Sequence, residues 1–340
     1  MIPVSYAVDL ASASRSDAVK GMEDLKHRAV YLVFRMLLCG LQMLSPRRAA
    51  QGARAFSWFM TRLVPRKMSR VAVAEENIRR AFGEEMPDPE VARIIHGMWE
   101  HLFRLLVEWS QLSRKMELTN CREVVVFRQR QQVLRALCSG RPVFVLGGHF
   151  GNWEVSMATF GFFGFPMGVI AREMDNPYLH QWFVRSRQHF GHKLLLKDGG
   201  WGDMVTAAEA GGNLGILCDQ DAGRRGVFVD FFGSPASTFK SIALMAMQYR
   251  AILVMGYGIR LPDDFENARW SQFEIGCEEV IDPLDYTDAD AVKQITQRFT
   301  AALERAIRRA PEQYFWVHRR WKTDAVTKKK AVKVAERKAA

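Results

Sequence analysis

Between Pro89 and Leu112 apolar residues recur at helical spacing, at Val91, Ile94, Ile95, Met98, Leu102, Leu105, Leu106 and Trp109, with Pro87 and Pro89 marking the start. The spacing predicts one long amphipathic helix packed on a sheet. After Gly140 the pattern changes to short β-rich runs, at Pro142 to Leu146, Met167 to Ala171, Leu214 to Cys218, Val227 to Phe232, Ile252 to Ile259 and Ser271 to Ile275. Helical stretches separate them, from Trp153 to Phe162, Pro177 to Phe190, Asp203 to Ala210, Thr238 to Arg250 and Asp288 to Arg309. Such alternation predicts an α/β fold.

Residues 29–44 (AVYLVFRMLLCGLQML) are mostly apolar, but the run is interrupted by Arg35 and falls short of the ~20 residues a clean membrane span requires. Arg35 and Gln42 share one helical stripe, and Val30, Val33, Leu37, Leu41 and Leu44 form the opposite, apolar one. Residues 49–64 group Phe56, Trp58, Phe59, Met60 and Leu63 with Arg54 and Arg62, a mixture that lipid headgroup regions favour. Two readings fit both segments: helices lying in a membrane interface, or helices packed on the core.

Charge favours the interface. The 340 residues carry a formal net charge of +11, and the excess sits at the two ends. Residues 26–70 hold ten Lys and Arg and no acid, residues 319–340 hold nine bases against Asp324 and Glu336, and residues 71–318 are net acidic. A nucleic-acid-binding domain spreads its bases over the folded face that meets phosphate. The distribution seen here points away from nucleic acid and towards a membrane surface with anionic lipids. The expected organisation is a flexible N-terminus (1–25), basic amphipathic membrane-associating helices (26–70), an α/β domain (71–323) and a basic tail (324–340). The five cysteines (Cys39, Cys121, Cys138, Cys218 and Cys277) lie far apart without a CxxC pair, so neither a disulfide framework nor a cysteine zinc site is indicated. Residues 1–25 lack the apolar core of a signal peptide, and translocation is not expected.

The stretch richest in chemistry is Val143 to Glu154, VFVLGGHFGNWE. It reads as strand, glycine turn and helix start, which sets His149 at the carboxyl end of a strand, where reactive groups of open α/β sheets collect. Glu154, one turn into the helix, is then expected to reach His149, fix its tautomer and stabilise its charged form. Backbone N–H groups at the helix start are candidates to stabilise an oxyanion. Asp219 and Asp221 follow another apolar run and also fall at a strand end, with Arg224 and Arg225 as candidate counter-charges. A nucleophilic serine is poorly supported, since no GxSxG occurs and Ser234 lies in a Pro/Gly turn. His189 and His192 leave a zinc hydrolase open as the alternative to acid/base acyl transfer, although no HExxH is present.

The segment Gly148-His149-Phe150-Gly151-Asn152-Trp153-Glu154 resembles the HxxxxE/D motif of the glycerolipid acyltransferase superfamily, in the form carried by bacterial lipid A biosynthesis acyltransferases. Asn77 to Phe82, Leu106-Val107-Glu108, Arg172 with Asp175-Asn176-Pro177, Arg187, Asp219-Gln220-Asp221, Phe231-Phe232-Gly233 and Pro311 to Lys322 are similar to further motifs of that family, in order, over about residues 28–323. The resemblance implies a central mixed, largely parallel sheet flanked by helices, behind an N-terminal amphipathic docking region at the cytoplasmic face of a bacterial inner membrane. It also implies transfer of a fatty acyl chain from acyl carrier protein to a hydroxyl of a Kdo-bearing lipid A precursor. His149 and Glu154 would be catalytic. Arg187, Asp219, Arg172, Asn152, Arg224, Arg319 and Arg320 would bind substrate, with Arg187 on the acceptor phosphate or the thioester carbonyl. The thioester brings its own leaving group, so no metal or redox cofactor is expected. Rival readings are an acyltransferase of the same superfamily acting on another glycolipid or lysophospholipid, and a non-catalytic membrane-surface protein. Ala222, Asp230 and Gly83 depart from the family pattern, the first two being expected near the pocket.

Overall fold

The computed structural model describes residues 5–171, 173–196 and 201–323. Four helices come first: α1 (Ser5–Gln42), α2 (Pro46–Arg62), α3 (Val71–Phe82) and α4 (Asp88–Lys115). Ser45 caps α2 by accepting the Arg48 N–H at 3.4 Å, with Pro46 in the first turn. Helix α4 opens with Asp88 and Glu90 and closes with Arg114 and Lys115, charges that match the helix dipole. It is the spine of this half, and α1, α2 and α3 all pack on it. Helix α1 runs without a break across residues 25 and 26, where the charge composition changes.

The rest of the chain alternates as its pattern predicts. In order come α5 (Cys121–Val124), β1 (Val125–Phe127), α6 (Arg130–Leu137), β2 (Val143–Gly147), α7 (Trp153–Phe162), β3 (Met167–Ala171), α8 (Pro177–Gln188), β4 (Lys193–Leu196), α9 (Trp201–Glu209) and β5 (Asn213–Leu217). Then follow β6 (Val227–Phe231), β7 (Ser234–Thr238), α10 (Lys240–Gln248), β8 (Ile252–Arg260), β9 (Phe273–Ile281) and α11 (Ala291–Arg309). Seven strands form one sheet in the order β1-β9-β8-β2-β5-β3-β4, in which only the β8–β9 pair is antiparallel. Both faces are covered, as a largely parallel sheet requires. Phe144 and Leu146 of β2 meet Phe299 and Leu303 of α11 on one side. Val143 and Val145 meet Val133 and Ala136 of α6 on the other.

Three features differ from the sequence pattern. Strands β1 and β4 were not expected, being too short for an alternation to register. The run Val227 to Phe232 forms a strand outside the main sheet, in a separate hairpin with β7, so Ser234 begins a strand. The turn falls instead on Phe232 (φ +55°) and Gly233 (φ +71°), the two left-handed positions of a tight hairpin. Asp230 serves this hairpin and lies away from the sheet's reactive end. Its N–H donates to Gln297 at 2.7 Å and its carboxylate accepts the Gly233 N–H at 3.0 Å. A proline there would forfeit the first of these bonds.

A buried charge pair joins the helical half to the sheet. Arg260, the last residue of β8, donates from Nε and Nη2 to Glu108 of α4, each at 2.6 Å, and from Nη1 to His101 Nδ1 at 2.8 Å. His101 Nε2–H reaches the Gly151 carbonyl at 3.1 Å, and Asn152 Nδ2 donates to Glu108 at 2.8 Å. Burial, then the Arg260 charge, hold the His101 pKa well below the ordinary value, so its ring stays neutral. Glu108→Ala strands a guanidinium in the interior, and we expect a loss of about 3–5 kcal/mol of stability. A chemical denaturation curve that matches wild type would contradict this assignment.

Candidate active site

Strands β2 and β5 are parallel neighbours, paired from Phe144 with Leu214 to Gly147 with Leu217. Their carboxyl ends therefore stop at the same level, and the side chains just beyond them meet. His149 Nδ1 lies 2.8 Å from Asp219 Oδ1, while the other carboxylate oxygen accepts the His149 backbone N–H at 2.8 Å. Gly148 keeps the passage between strand and histidine open, since a Cβ there would stand 2.9 Å from a Leu303 methyl and 3.4 Å from the Asp219 Cβ. Gly151, at φ +60°, has the Gly258 carbonyl where a side chain would go.

The electrostatics fix the tautomer. Burial opposes ionisation of Asp219, but the charge and the two hydrogen bonds of His149 outweigh it and hold the carboxyl below its ordinary range. An ionised carboxylate only accepts, so Nδ1 carries the proton and Nε2 keeps its lone pair for substrate. Burial likewise opposes charging of His149, and the attraction and hydrogen bond of Asp219 overcome it, leaving its pKa above the ordinary histidine value. A neutral imidazole oriented by a carboxylate in this way has the arrangement that general-base chemistry requires.

Glu154 does not play the part expected of it. Its carboxylate accepts from Arg187 Nη2 at 2.7 Å and from Trp153 Nε1 at 3.0 Å, and Asp219 occupies the position at the imidazole. Burial pushes the Glu154 pKa up against the pull of Arg187 and Trp153. Arg187, itself buried, lies over the Phe183 ring with 4.8 Å from guanidinium carbon to ring centroid, and its Nε–H has no acceptor among the described residues. The residue lines a cleft of about 100 Å³ that runs from Gly148 and Trp153 beneath α7 along β2, β3 and β5. Much of its floor is backbone, at Gly147, Gly215 and Gly256, and Met157, Phe160 and Met167 supply apolar walls.

Other expected site residues are elsewhere engaged. Asn152 caps α7 by accepting the Val155 N–H at 3.1 Å and is fully buried, so it positions the loop and does not face substrate. Several amides at the approach to the helix are engaged within the protein: His149 N–H on Asp219, Gly151 N–H on Gln313, Asn152 N–H on Gly258 and Val155 N–H on Asn152. Arg224 and Arg225 sit exposed on a short 3₁₀ turn and are not counter-charges of the aspartates. Asp221 instead accepts from Thr323 Oγ1 at 2.8 Å. Arg320 is buried under β7, donating to the Ser237 carbonyl and Thr238 Oγ1 at 2.6 Å each, which makes it a clamp and not a phosphate ligand. Arg319 is exposed beside the site, and Arg172 lies outside the described residues. His192 binds main chain through both ring nitrogens, from Met167 N–H and to the Met157 carbonyl.

The C-terminal segment completes the site. Phe315 N–H donates to the His149 carbonyl at 3.0 Å, and the His318 ring lies 4.9 Å from the His149 ring. Burial and then the neighbouring His149 charge lower the His318 pKa to about 4, so it stays neutral when His149 is charged. Sequence reasoning missed His101, Arg260 and Gln313. An arginine ending the nine-residue apolar strand ILVMGYGIR was the available signal. Imidazole titration by NMR is expected to give a His149 midpoint above the ordinary 6.5. In Asp219→Asn, where only burial remains, it falls below that value. A midpoint indifferent to Asp219→Asn would refute the pairing.

Residues 23–323 match the family of bacterial lipid A biosynthesis acyltransferases. The chain is 27% identical over 260 residues to the lipid A biosynthesis lauroyltransferase of Escherichia coli, covering 75% of this chain and 79% of that protein. It is 28% identical over 197 residues to the lipid A biosynthesis palmitoleoyltransferase of the same organism, covering 56% and 60%. A phosphatidylinositol mannoside acyltransferase of Mycobacterium tuberculosis is 24% identical over 273 residues, covering 75% and 78%. A histidine held by a carboxylate, next to residues that line an apolar cleft, agrees with the match across nearly the whole described chain: this protein is an acyltransferase and belongs to the bacterial lipid A biosynthesis acyltransferase family.

Proposed function

We propose that the protein transfers a fatty acyl chain from an acyl carrier protein thioester to a hydroxyl of a Kdo-bearing lipid A precursor. The observation that carries this reading is the His149–Asp219 pair, whose imidazole lies 5.3 Å from the Trp153 ring that lines an apolar cleft. The acyl chain lies in the cleft with its thioester carbonyl near His149. Nε2 takes the proton of the acceptor hydroxyl as its oxygen attacks the carbonyl carbon. The tetrahedral oxyanion collapses, the C–S bond breaks, and the departing thiolate takes the proton back from His149. Asp219 holds the imidazolium between the two transfers. Arg187, anchored by Glu154 and with Nε–H unspent, supplies a donor to the oxyanion. The thioester is activated enough that these groups suffice without a cofactor. The phosphatidylinositol mannoside relative lends weak support to a different acceptor, and an acceptor panel with one labelled donor separates the two.

Membrane association is the second part of the proposal. No described helix is long and apolar enough to cross a membrane. Helix α1 turns Tyr31, Phe34, Leu38 and Gln42 inward, with Gln42 donating to the Ser110 carbonyl at 2.8 Å, and leaves Val33, Met36 and Leu37 exposed. Trp58, Phe59 and Leu63 of α2 and its C-terminal edge are exposed as well, among Arg47, Arg48, Arg54 and Arg62. These faces suit the headgroup layer of a cytoplasmic leaflet, where each base is worth about 1 kcal/mol.

His149→Ala and Asp219→Ala are expected to lower turnover by about 10²-fold or more, with the fold unchanged by circular dichroism. Turnover falls in acid as His149 protonates, and Asp219→Asn moves that limb to lower pH. Glu154→Gln lowers turnover with the limb unmoved; a limb that follows Glu154 instead would restore the original His149–Glu154 assignment. Changing Arg47, Arg48, Arg54 and Arg62 to Gln together is expected to weaken binding to anionic vesicles by about 10³-fold. Sedimentation with unaltered binding would dismiss this docking face.

A further inference from the structure

Behind the cleft lies a second cavity of about 210 Å³, twice as large, that the reading above leaves unused. It is bounded by α6, the far end of α7 and the β1–β9 edge, through Val133, Leu134, Leu137, Phe163, Phe165 and Ile275. One side chain belongs to both walls. Phe160 of α7 closes the inner end of the cleft that begins at Trp153, and the same ring lines the second cavity. Trp153, Ser156, Met157 and Phe160 fall on one stripe of α7, so the ring stands about 10 Å down the helix from the mouth. That is the depth reached by a medium-length acyl chain.

The geometry points to Phe160 as the stop that sets acyl chain length, with the second cavity, an apolar groove whose Leu134 and Phe163 are exposed at the surface, as an extension able to take the methyl end of a longer chain. This rests on the reading of the cleft as the acyl site. The occupant follows from the two observations together: the extension continues a cleft that starts at the base, and the residues facing it from α6 and α7 are mostly hydrocarbon and aromatic. Removing the ring joins the two spaces. A chain end that wild type leaves unburied then finds apolar surroundings, at about 10-fold or more in discrimination for a well-buried methylene.

The test measures binding and transfer separately, so that the two ideas fail separately. Affinities of the full chain for saturated fatty acids of increasing length are compared with product chain lengths from a mixture of acyl carrier protein thioesters, read by mass spectrometry. In Phe160→Ala both optima are expected to move to longer chains, the preference for the longer chain rising about 10-fold. Phe160→Leu moves them less in the same direction and covers the case in which the alanine variant does not fold. Adding Leu134→Trp, which fills the second cavity, reverses the shift, while Leu134→Trp alone leaves the wild-type optimum in place. Optima unchanged in a folded Phe160 variant, or a shift that survives Leu134→Trp, overturn the proposal. If no chain is transferred yet the binding optimum still moves, the cavity assignment holds and the acyl-transfer reading is the one that fails.

Discussion

A carboxylate sealed from water must find its counter-charge inside the protein. Asp219 is almost fully buried, and His149 meets its carboxylate through two bonds, from the ring and from the backbone amide. Much else in the sheet serves that contact. Adjacent parallel strands bring the two residues to one level, Gly148 lets the chain pass between Asp219 and Leu303, and a capped helix carries the backbone away again. The same contact keeps the imidazole protonatable, because the desolvation that would suppress its charge is overcome by the attraction and hydrogen bond of Asp219.

A second buried pair holds the loop from below. Arg260 and Glu108 reach Gly151 and Asn152 through His101 and directly, so the turn that presents His149 is fixed from helix α4 and from strand β8 at once. The third pair, Glu154 with Arg187, faces the cleft. Three carboxylates near one loop thus have three different jobs, separated by which base each one meets. Their common chemistry hides a division between a carboxylate that tunes the imidazole, one that steadies the turn and one that anchors a donor.

What was legible in the sequence was local. The strand, glycine turn and helix around His149 are read directly from VFVLGGHFGNWE, and the helices from Pro177 and within 288–309 follow from capping residues and apolar spacing. The HxxxxE spacing, however, suggested a pairing that three-dimensional neighbours override. Glu154 is the second residue of α7 and turns towards α8, whereas Asp219 is brought in by strand order, which no local pattern encodes. Arg320 misled for the same reason: in a run of bases and tryptophans it looks like a phosphate grip, and only its burial under β7 shows a clamp. The hairpin turn at Phe232 and Gly233 was hidden because a phenylalanine is an unusual occupant of left-handed backbone.

The tie between the histidine loop and residues far along the chain has a consequence for biogenesis. Gly151 N–H bonds the Gln313 carbonyl, Phe150 bridges to Tyr314, and Phe315 N–H bonds the His149 carbonyl. During synthesis the strands around His149 emerge well before these partners, so this part of the loop's bonding waits for them. The loop that carries His149 therefore gains these bonds only once residues 313–315 have left the ribosome. A nascent chain can hold the sheet, and even lie on a lipid surface, without yet presenting an armed imidazole to it.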